Sequence, residues 1–331
     1  VSASSIPDAA VPVLLVHPGS HGVAVYAREI AAEVIRHALG TRLSAPDALA
    51  AVPAGTPVHA HVTDRLWGAS PEEAARALTA LAGRHPLAVT LHDVPQASDG
   101  ERNLPRRRAF YRAVAEAARG VAVNSVHEHE LLREEEVWHG AVEVVPLPVQ
   151  SVAPTDPGPS DDAVGVLGYF YPGKGHDEAL VATAAAGMTR LVVLGRASDG
   201  HGADLEAFVR RAADRGVAVE VTGWLDDADM VQRARRVAVP VIAHRHVSAS
   251  GSLASWIGWG RRPVAVRNRY VDEMAALRPG TLQVVDSDAL AVAVSTARGD
   301  AAGTWHGIDP VPFGRSDAAR SYVRWWAEVF R

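Results

Sequence analysis

The chain has 331 residues, 48% of them hydrophobic and 21% charged, with a formal net charge of −5. This is globular composition. It excludes disorder, collagen and a coiled coil for the chain as a whole, and the length suits two domains of roughly 150 residues each.

Short β-branched runs alternate with helical stretches. VPVLLVH (11–17) predicts a buried strand, followed by the turn residues PGSHG and a helix over VAVYAREIAAEVIRHAL (23–39). PVHAHV (57–62) predicts a strand, and PEEAARALTALAGR (71–84) a helix opened by Pro and acidic residues. LAVTLHD (87–93) predicts a strand, RRRAFYRAVAEAAR (106–119) a helix, and GVAVNS (120–125) and VEVVPL (142–147) two more strands. QSVAPTDPGPSDD (150–162) is rich in Pro, Ser and Asp and lacks periodicity, which predicts an interdomain linker. Strands then resume at AVGVLGYF (163–170), RLVVLG (190–195), VAVEVTG (217–223), VAVPVIA (237–243), RPVAV (262–266) and TLQVV (281–285). Helices are expected between them, among others at 204–215 and 226–236. A last helix, SDAARSYVRWWAEVF (316–330), opens on a Ser-Asp cap and has an apolar stripe.

Strands alternating with helices imply parallel sheets built from right-handed βαβ units. The expectation is an α/β chain of two doubly wound, Rossmann-like domains facing a cleft: 1–149, the linker 150–162, and 163–315. The terminal segment 316–331 is expected to cross back to the first domain. Ligands in such sheets bind at the carboxyl ends of strands.

Cysteine is absent, so disulfides, thiolate metal sites and a cysteine nucleophile are excluded. The start of the sequence lacks the basic and long apolar regions of a signal peptide, and no run of eighteen apolar residues exists. A cytoplasmic protein without a transmembrane segment is expected. The net charge is −4 over 1–150 and −1 over 151–331, without the positive excess of a nucleic-acid binder.

Of 33 basic residues, 32 are Arg and one is Lys174, a bias typical of a high-GC genome. Lys174 lies in GVLGYFYPGKGHDEAL (165–180), where a strand ends and a glycine-flanked turn leads into a helix near His176. Amide donors, the helix dipole and an ammonium there make an anion site; a solvated turn lysine is the alternative. HRHVSASGSLASWIGWGRRPVAV (244–266) repeats the pattern through Ser248, Ser250 and Gly251, with the amides of Ser252 and Leu253 expected to point outward. The alternative there is a simple helix cap by Ser250.

HPGSHGVAVYAREI (17–30) is a third strand–loop–helix step. It has neither the dinucleotide glycine fingerprint nor the acidic residue that should follow, but Gly19 and Gly22 let a substrate or diphosphate approach the backbone. His92 and Asp93 close the strand 87–92, where a histidine can bond a substrate hydroxyl or relay a proton. His21 and Asp93 are candidates on the acceptor side. His17, His59 and His61 also lie near strand ends, yet no metal-ligand spacing is present, and none of the sequence matches a nucleophile elbow. Arg106, Arg107 and Arg108, with Arg102 and Arg112, read as a solvated helix face diluted by Glu101 and Glu116.

Together these segments resemble the retaining glycosyltransferases of the two-Rossmann GT-B type, in particular the GT4-like group. TLHDVP (90–95), the Arg-rich helix and strand over 106–132, VVPLPV (144–149), GYFYPGKGHDEAL (168–180), LGRASDGHGADLEAF (194–208), VEVTGWLDDADM (219–230) and SASGSLASWIGWGRRPVAV (248–266) carry the likeness over most of the chain. The resemblance implies that His92 meets the donor sugar and that Lys174 and the amides after Gly251 hold the donor diphosphate. It implies transfer of a hexosyl group with retention to a carbohydrate or glycolipid-type acceptor, with mannosyl from GDP-mannose favoured and a UDP-hexose as the other donor. The nucleotide sugar is then a co-substrate, with no cofactor and no metal. Two departures stand out. The group's arginine before the loop lysine is replaced by Tyr169-Phe170-Tyr171, with Arg196 as the candidate substitute. The group's paired glutamates are missing from Val247 to Ser255. That gap motivates one alternative, a catalytically degenerate partner or binding protein; the other, a sugar-nucleotide epimerase, would need acidic groups in the cleft, and the sequence lacks obvious ones.

Overall fold

The structure is a computed structural model that describes residues 11–37, 42–153 and 160–331. Its contacts divide the chain into two units, Val1–Pro148 with Phe313–Arg331, and Val149–Pro312. Among the described residues every strand pairing is parallel.

In chain order, unit 1 contains β1 (Val13–Leu15), α1 (Gly22–His37), β2 (Leu43–Ser44), β3 (Val58–Val62), α2 (Asp64–Trp67), α3 (Pro71–Ala82), β4 (Leu87–Leu91), α4 (Gly100–Ala117), β5 (Gly120–Val123), α5 (Val126–Glu134) and β6 (Glu143–Val144). Its sheet has the order β2-β1-β3-β4-β5-β6. Both faces are covered, which is why the central strands are almost continuously apolar. One face, with Val58, Val89, Leu91 and Val121, packs against Leu78 of α3, Phe110 and Val114 of α4 and Leu132 of α5. The other face, with Leu14, Ala88 and Ala122, packs against Tyr26, Ile30 and Val34 of α1.

Unit 2 contains β7 (Asp161–Leu167), α6 (His176–Ala185), β8 (Arg190–Leu194), α7 (Gly202–Ala213), β9 (Ala218–Val221), α8 (Asp227–Arg236), β10 (Val237–Ile242), α9 (Gly251–Gly258), β11 (Val264–Val266), α10 (Arg269–Leu277), β12 (Gln283–Val285) and α11 (Leu290–Gly299). The sheet order is β12-β11-β10-β7-β8-β9. The winding reverses between β7 and β10, so that point is where a doubly wound sheet opens a ligand crevice. The last helix, α12 (Arg315–Val329), belongs to unit 1 and covers its sheet with Tyr322, Val323 and Trp326 beside α1.

Three sequence boundaries move. The helix expected from 106 starts at Gly100 and takes Pro105 inside it, after a turn closed by Gln96 and Asp99. The expected linker loses its end to β7, because Asp161 pairs with Val237 and its carboxylate is held by Arg233 and Arg236. At its start, Val152 N donates to Gly258 O at 2.8 Å and Arg235 donates to the carbonyls of Val152 and Ala153 at 3.1 Å. The remainder of the linker, 154–159, lies outside the described residues.

Candidate functional site

In unit 2 the carboxyl ends of β7, β8, β9 and β10 are knitted together by backbone. Gly195, at φ +152, stands so close to Gly168 that a Cβ there would lie 2.3 Å from Gly168 O. Gly195 N donates to Thr222 Oγ1 at 2.9 Å, and Gly223 N to Gly195 O at 3.0 Å. Across the winding reversal, Arg245 N donates to Gly173 O at 3.0 Å. Gly175, at φ +97, is pressed against Ala243, where a Cβ would lie 2.4 Å from the carbonyl oxygen. Both glycines are needed for these close approaches.

This knitting carries Lys174 to the start of α9. Its Nζ donates to Ser252 Oγ at 3.1 Å, and the Ser252 and Ser250 hydroxyls are 3.1 Å apart. Among the described residues no carboxylate pairs with Lys174. Burial lowers its pKa to about 8. The charge is held partly out of water with only a hydroxyl for a partner, and a site of that kind is short of anionic acceptors.

Beneath it lie two buried histidines. Neither ring nitrogen of His176 has a partner, and His244 Nε2 also lacks one. Burial, then Lys174, lowers the His176 pKa to about 3, and the same causes with His176 hold His244 well below the ordinary histidine value. Both are therefore neutral at pH 7, and Lys174 is the cation of the cluster.

The structure joins Lys174, Ser250, Gly251 and Ser252 in one place. A Cβ on Gly251 would meet nothing within 4 Å, so its backbone faces open space. Ser248 is buried in the same loop. Leu253 departs from the sequence expectation. Its amide is not free, because it donates to Ser250 Oγ at 3.2 Å, and its side chain is buried in the core. Ser250 is thus the helix cap, and its own amide donates to Tyr270 Oη at 3.0 Å.

The Arg196 guanidinium has its partners outside this cluster. Its guanidinium stacks on the Tyr169 ring at 5.2 Å and bonds Ala197 O and Asp199, each at 3.4 Å. Glycines at positive φ precede an outward side chain at three strand ends: Gly168 before Tyr169, Gly195 before Arg196, Gly223 before Trp224. Trp224 is 76% exposed, an unusual exposure for its size.

In unit 1, His92 is buried at the end of β4 and its Nε2 lies 3.0 Å from His61 Nδ1. Burial, then His61 and His21, hold its pKa well below the ordinary value. His21 itself accepts a hydrogen bond at Nδ1 from Val23 N, 3.3 Å, at the start of α1. Gly19, at φ +95, and Gly22 both border open space. Asp93 is exposed, at φ +52.

A polar network runs behind His92. His59 Nε2 is 3.0 Å from Thr90 Oγ1, which donates to Tyr322 Oη at 3.2 Å. Tyr322 is 3.1 Å from Tyr26 Oη, to which Asn124 Nδ2 donates at 3.2 Å. Burial is the first cause that lowers His59 to about 3 and raises Tyr322 to about 12.

The arginine run of α4 is paired rather than merely solvated. Arg106 meets Glu72 at 2.7 Å, Arg107 meets Asp99 at 2.5 Å, and Arg108 Nε meets Glu135 at 2.7 Å. Among the described residues no group of three or more His, Asp or Glu is placed to hold a metal ion, and no helix is long and apolar enough to cross a membrane.

No family model matches the sequence, and no curated protein does. Solved structures do match. Sucrose-phosphate synthase from Thermosynechococcus elongatus is 16% identical, with 97% of this chain and 96% of that chain covered at a TM-score of 0.68. The fold is GT-B. HepE from Anabaena, solved with UDP-glucose, is similar at 15% identity, 96% and 95% coverage and a TM-score of 0.65. The UDP-forming α,α-trehalose-phosphate synthase from Burkholderia vietnamiensis is 13% identical, with 92% and 77% covered at 0.57. At these identities the likeness establishes the fold, and residue roles in this GT-B chain rest on its own geometry.

Proposed function

We propose that the chain is a hexosyltransferase that takes its sugar from a nucleoside diphosphate. The observation that carries this is Lys174, an ammonium without a carboxylate partner, held by Ser252 at the winding reversal of a doubly wound sheet. A diphosphate oxygen supplies the missing anion. The dipole of α9 and the open backbone at Gly251 add donors, and the charge developing on the leaving diphosphate is neutralised there without a metal. Tyr169, Arg196 and Trp224, at the ends of β7, β8 and β9, offer aromatic and cationic faces to the nucleobase and ribose. His92 of unit 1 is assigned a hydroxyl of the hexosyl group, transferred with retention to a carbohydrate or glycolipid-type acceptor. The sequence resemblance favours GDP-mannose. The UDP bound in HepE and the UDP-forming synthase make a UDP-hexose the first donor to test.

The test is thermal unfolding with UDP and GDP, followed by turnover with a panel of nucleotide sugars. A nucleotide at 100 times its Kd stabilises by about 2.7 kcal/mol. One of the two nucleotides is expected to raise the Tm and its hexose conjugates to turn over. No shift with either would defeat the proposal. A shift without turnover would instead support a nucleotide-binding partner protein, the reading favoured by the absence of any carboxylate from Val247 to Ser255.

A further inference from the structure

The turn that closes β4 is fixed at more points than a core residue requires. Asp93 has φ +52, a left-handed backbone conformation uncommon for a non-glycine residue, and its neighbours hold it there. His92 N donates to Val62 O at 2.8 Å. Tyr111 Oη donates to His92 O, and Arg107 Nη2 donates to Asp93 O at 2.5 Å. Arg107 is in turn held by Asp99 at 2.5 Å and Asp64 at 3.6 Å. So three backbone groups of His92 and Asp93, one N–H and two carbonyls, are tied to β3 and α4.

The ring is fixed as well. Its Nε2 is bonded to His61 Nδ1, and the Tyr26 ring packs at steep angles to both imidazoles, with centroids 5.1 and 5.4 Å away. Two apolar side chains would fill this volume without the cost of burying two imidazoles. The hydrogen bond uses Nε2 of His92 and leaves Nδ1 as the ring nitrogen able to meet a sugar hydroxyl. The proton shared with His61 also decides whether that nitrogen donates or accepts.

We propose that His61, Tyr111 and Arg107 are positioning residues that hold the His92 ring and the His92–Asp93 backbone in the geometry needed for sugar transfer. This rests on the hexosyltransferase reading above. The three residues act through His92 and need not touch the substrate.

The test compares His61→Leu, His61→Asn and Tyr111→Phe with the wild type. The leucine variant removes the polar partner, the asparagine variant keeps one, and the phenylalanine variant keeps the ring but loses the bond to His92 O. In the leucine and phenylalanine variants kcat is expected to fall about tenfold or more, since small misplacements near reacting atoms carry such costs. KM for the donor should stay within twofold, and His61→Asn should recover to within about threefold of wild type. Wild-type kcat in His61→Leu, or equal losses in the leucine and asparagine variants, would overturn the proposal. Ring 15N NMR of His92 gives a readout independent of turnover. The tautomer signature should change in His61→Leu and persist in His61→Asn, even if no nucleotide sugar proves to be a donor. An unchanged His92 signature in His61→Leu would overturn the positioning role while leaving the hexosyltransferase reading to its own test.

Discussion

Replacing Lys174 by Met separates stability from binding. Lowering the pKa from 10.5 to about 8 means that the folded chain holds this charge at a cost. At 1.36 kcal/mol per unit the cost reaches about 3 kcal/mol, and partial solvent access reduces it to about 2 kcal/mol. Loss of the bond to Ser252 offsets about 1 kcal/mol of the relief. Lys174→Met should therefore leave the free protein as stable as the wild type at pH 7, or more stable by about 1 kcal/mol. The sign with pH follows from proton counting. Between pH 8 and 10.5 the unfolded chain binds more protons at this group than the folded one, so the Lys174 contribution to stability rises with pH across that window and is absent from the variant. Binding moves the opposite way. An ammonium about 4 Å from a diphosphate charge gains roughly 4 kcal/mol at an effective dielectric near 20, and much of the desolvation has already occurred in the free protein. The variant should lose about 100-fold or more in UDP or GDP affinity and in kcat/KM, and wild-type affinity should weaken above pH 8. Denaturant unfolding at pH 7.5 and 10, with calorimetric titration of the nucleotide at both, measures all of this. A variant that binds within threefold of the wild type would refute the anion-site argument.

Three other outcomes are expected. His92→Ala should reduce transfer at least tenfold while nucleotide affinity changes less than threefold; unchanged kcat removes His92 from the site. His59, His61 and His92 are buried neutral with pKa values below 6.5, His59 at about 3. The unfolded chain therefore takes up protons first as pH falls, and stability should drop by about 1.4 kcal/mol per pH unit for each such histidine below about pH 6. Denaturation midpoints that are flat between pH 7 and 5 would contradict this. Trp224→Ala should weaken nucleotide binding by about 1–3 kcal/mol through lost base stacking with little change in Tm; unaltered affinity would place the base elsewhere.

The strands and the two loops that bring Lys174 to Ser252 in unit 2 were legible because each is a local pattern: an apolar run, a glycine turn, a helix start. Lys174 was legible by its rarity. The order of strands was not, and the long-range contacts depend on it. His61 and His92 are 31 residues apart and meet because β3 and β4 pair in the register Val62 with Leu91. Tyr322 reaches Thr90 across 232 positions, a distance no spacing rule spans. The Leu253 amide is not decided by sequence, because a serine at the start of a helix implies both an anion cradle and a cap, and here the cap forms. Helix α11 gave little signal because Val292, 70% exposed, weakens the contrast between its two faces.

The place of α12 has a consequence for how the chain acquires its structure. Unit 1 is written in two pieces, 1–148 and 313–331, with all of unit 2 between them. Tyr322 and Trp326 are fully buried against the sheet that the first piece builds. Domains emerging from the ribosome ordinarily close in order from the amino end. Here the first sheet to be synthesised is the last to be sealed. Until α12 arrives, the His59 ring and the Thr90 hydroxyl lack the cover that Tyr322, Trp325 and Trp326 give them.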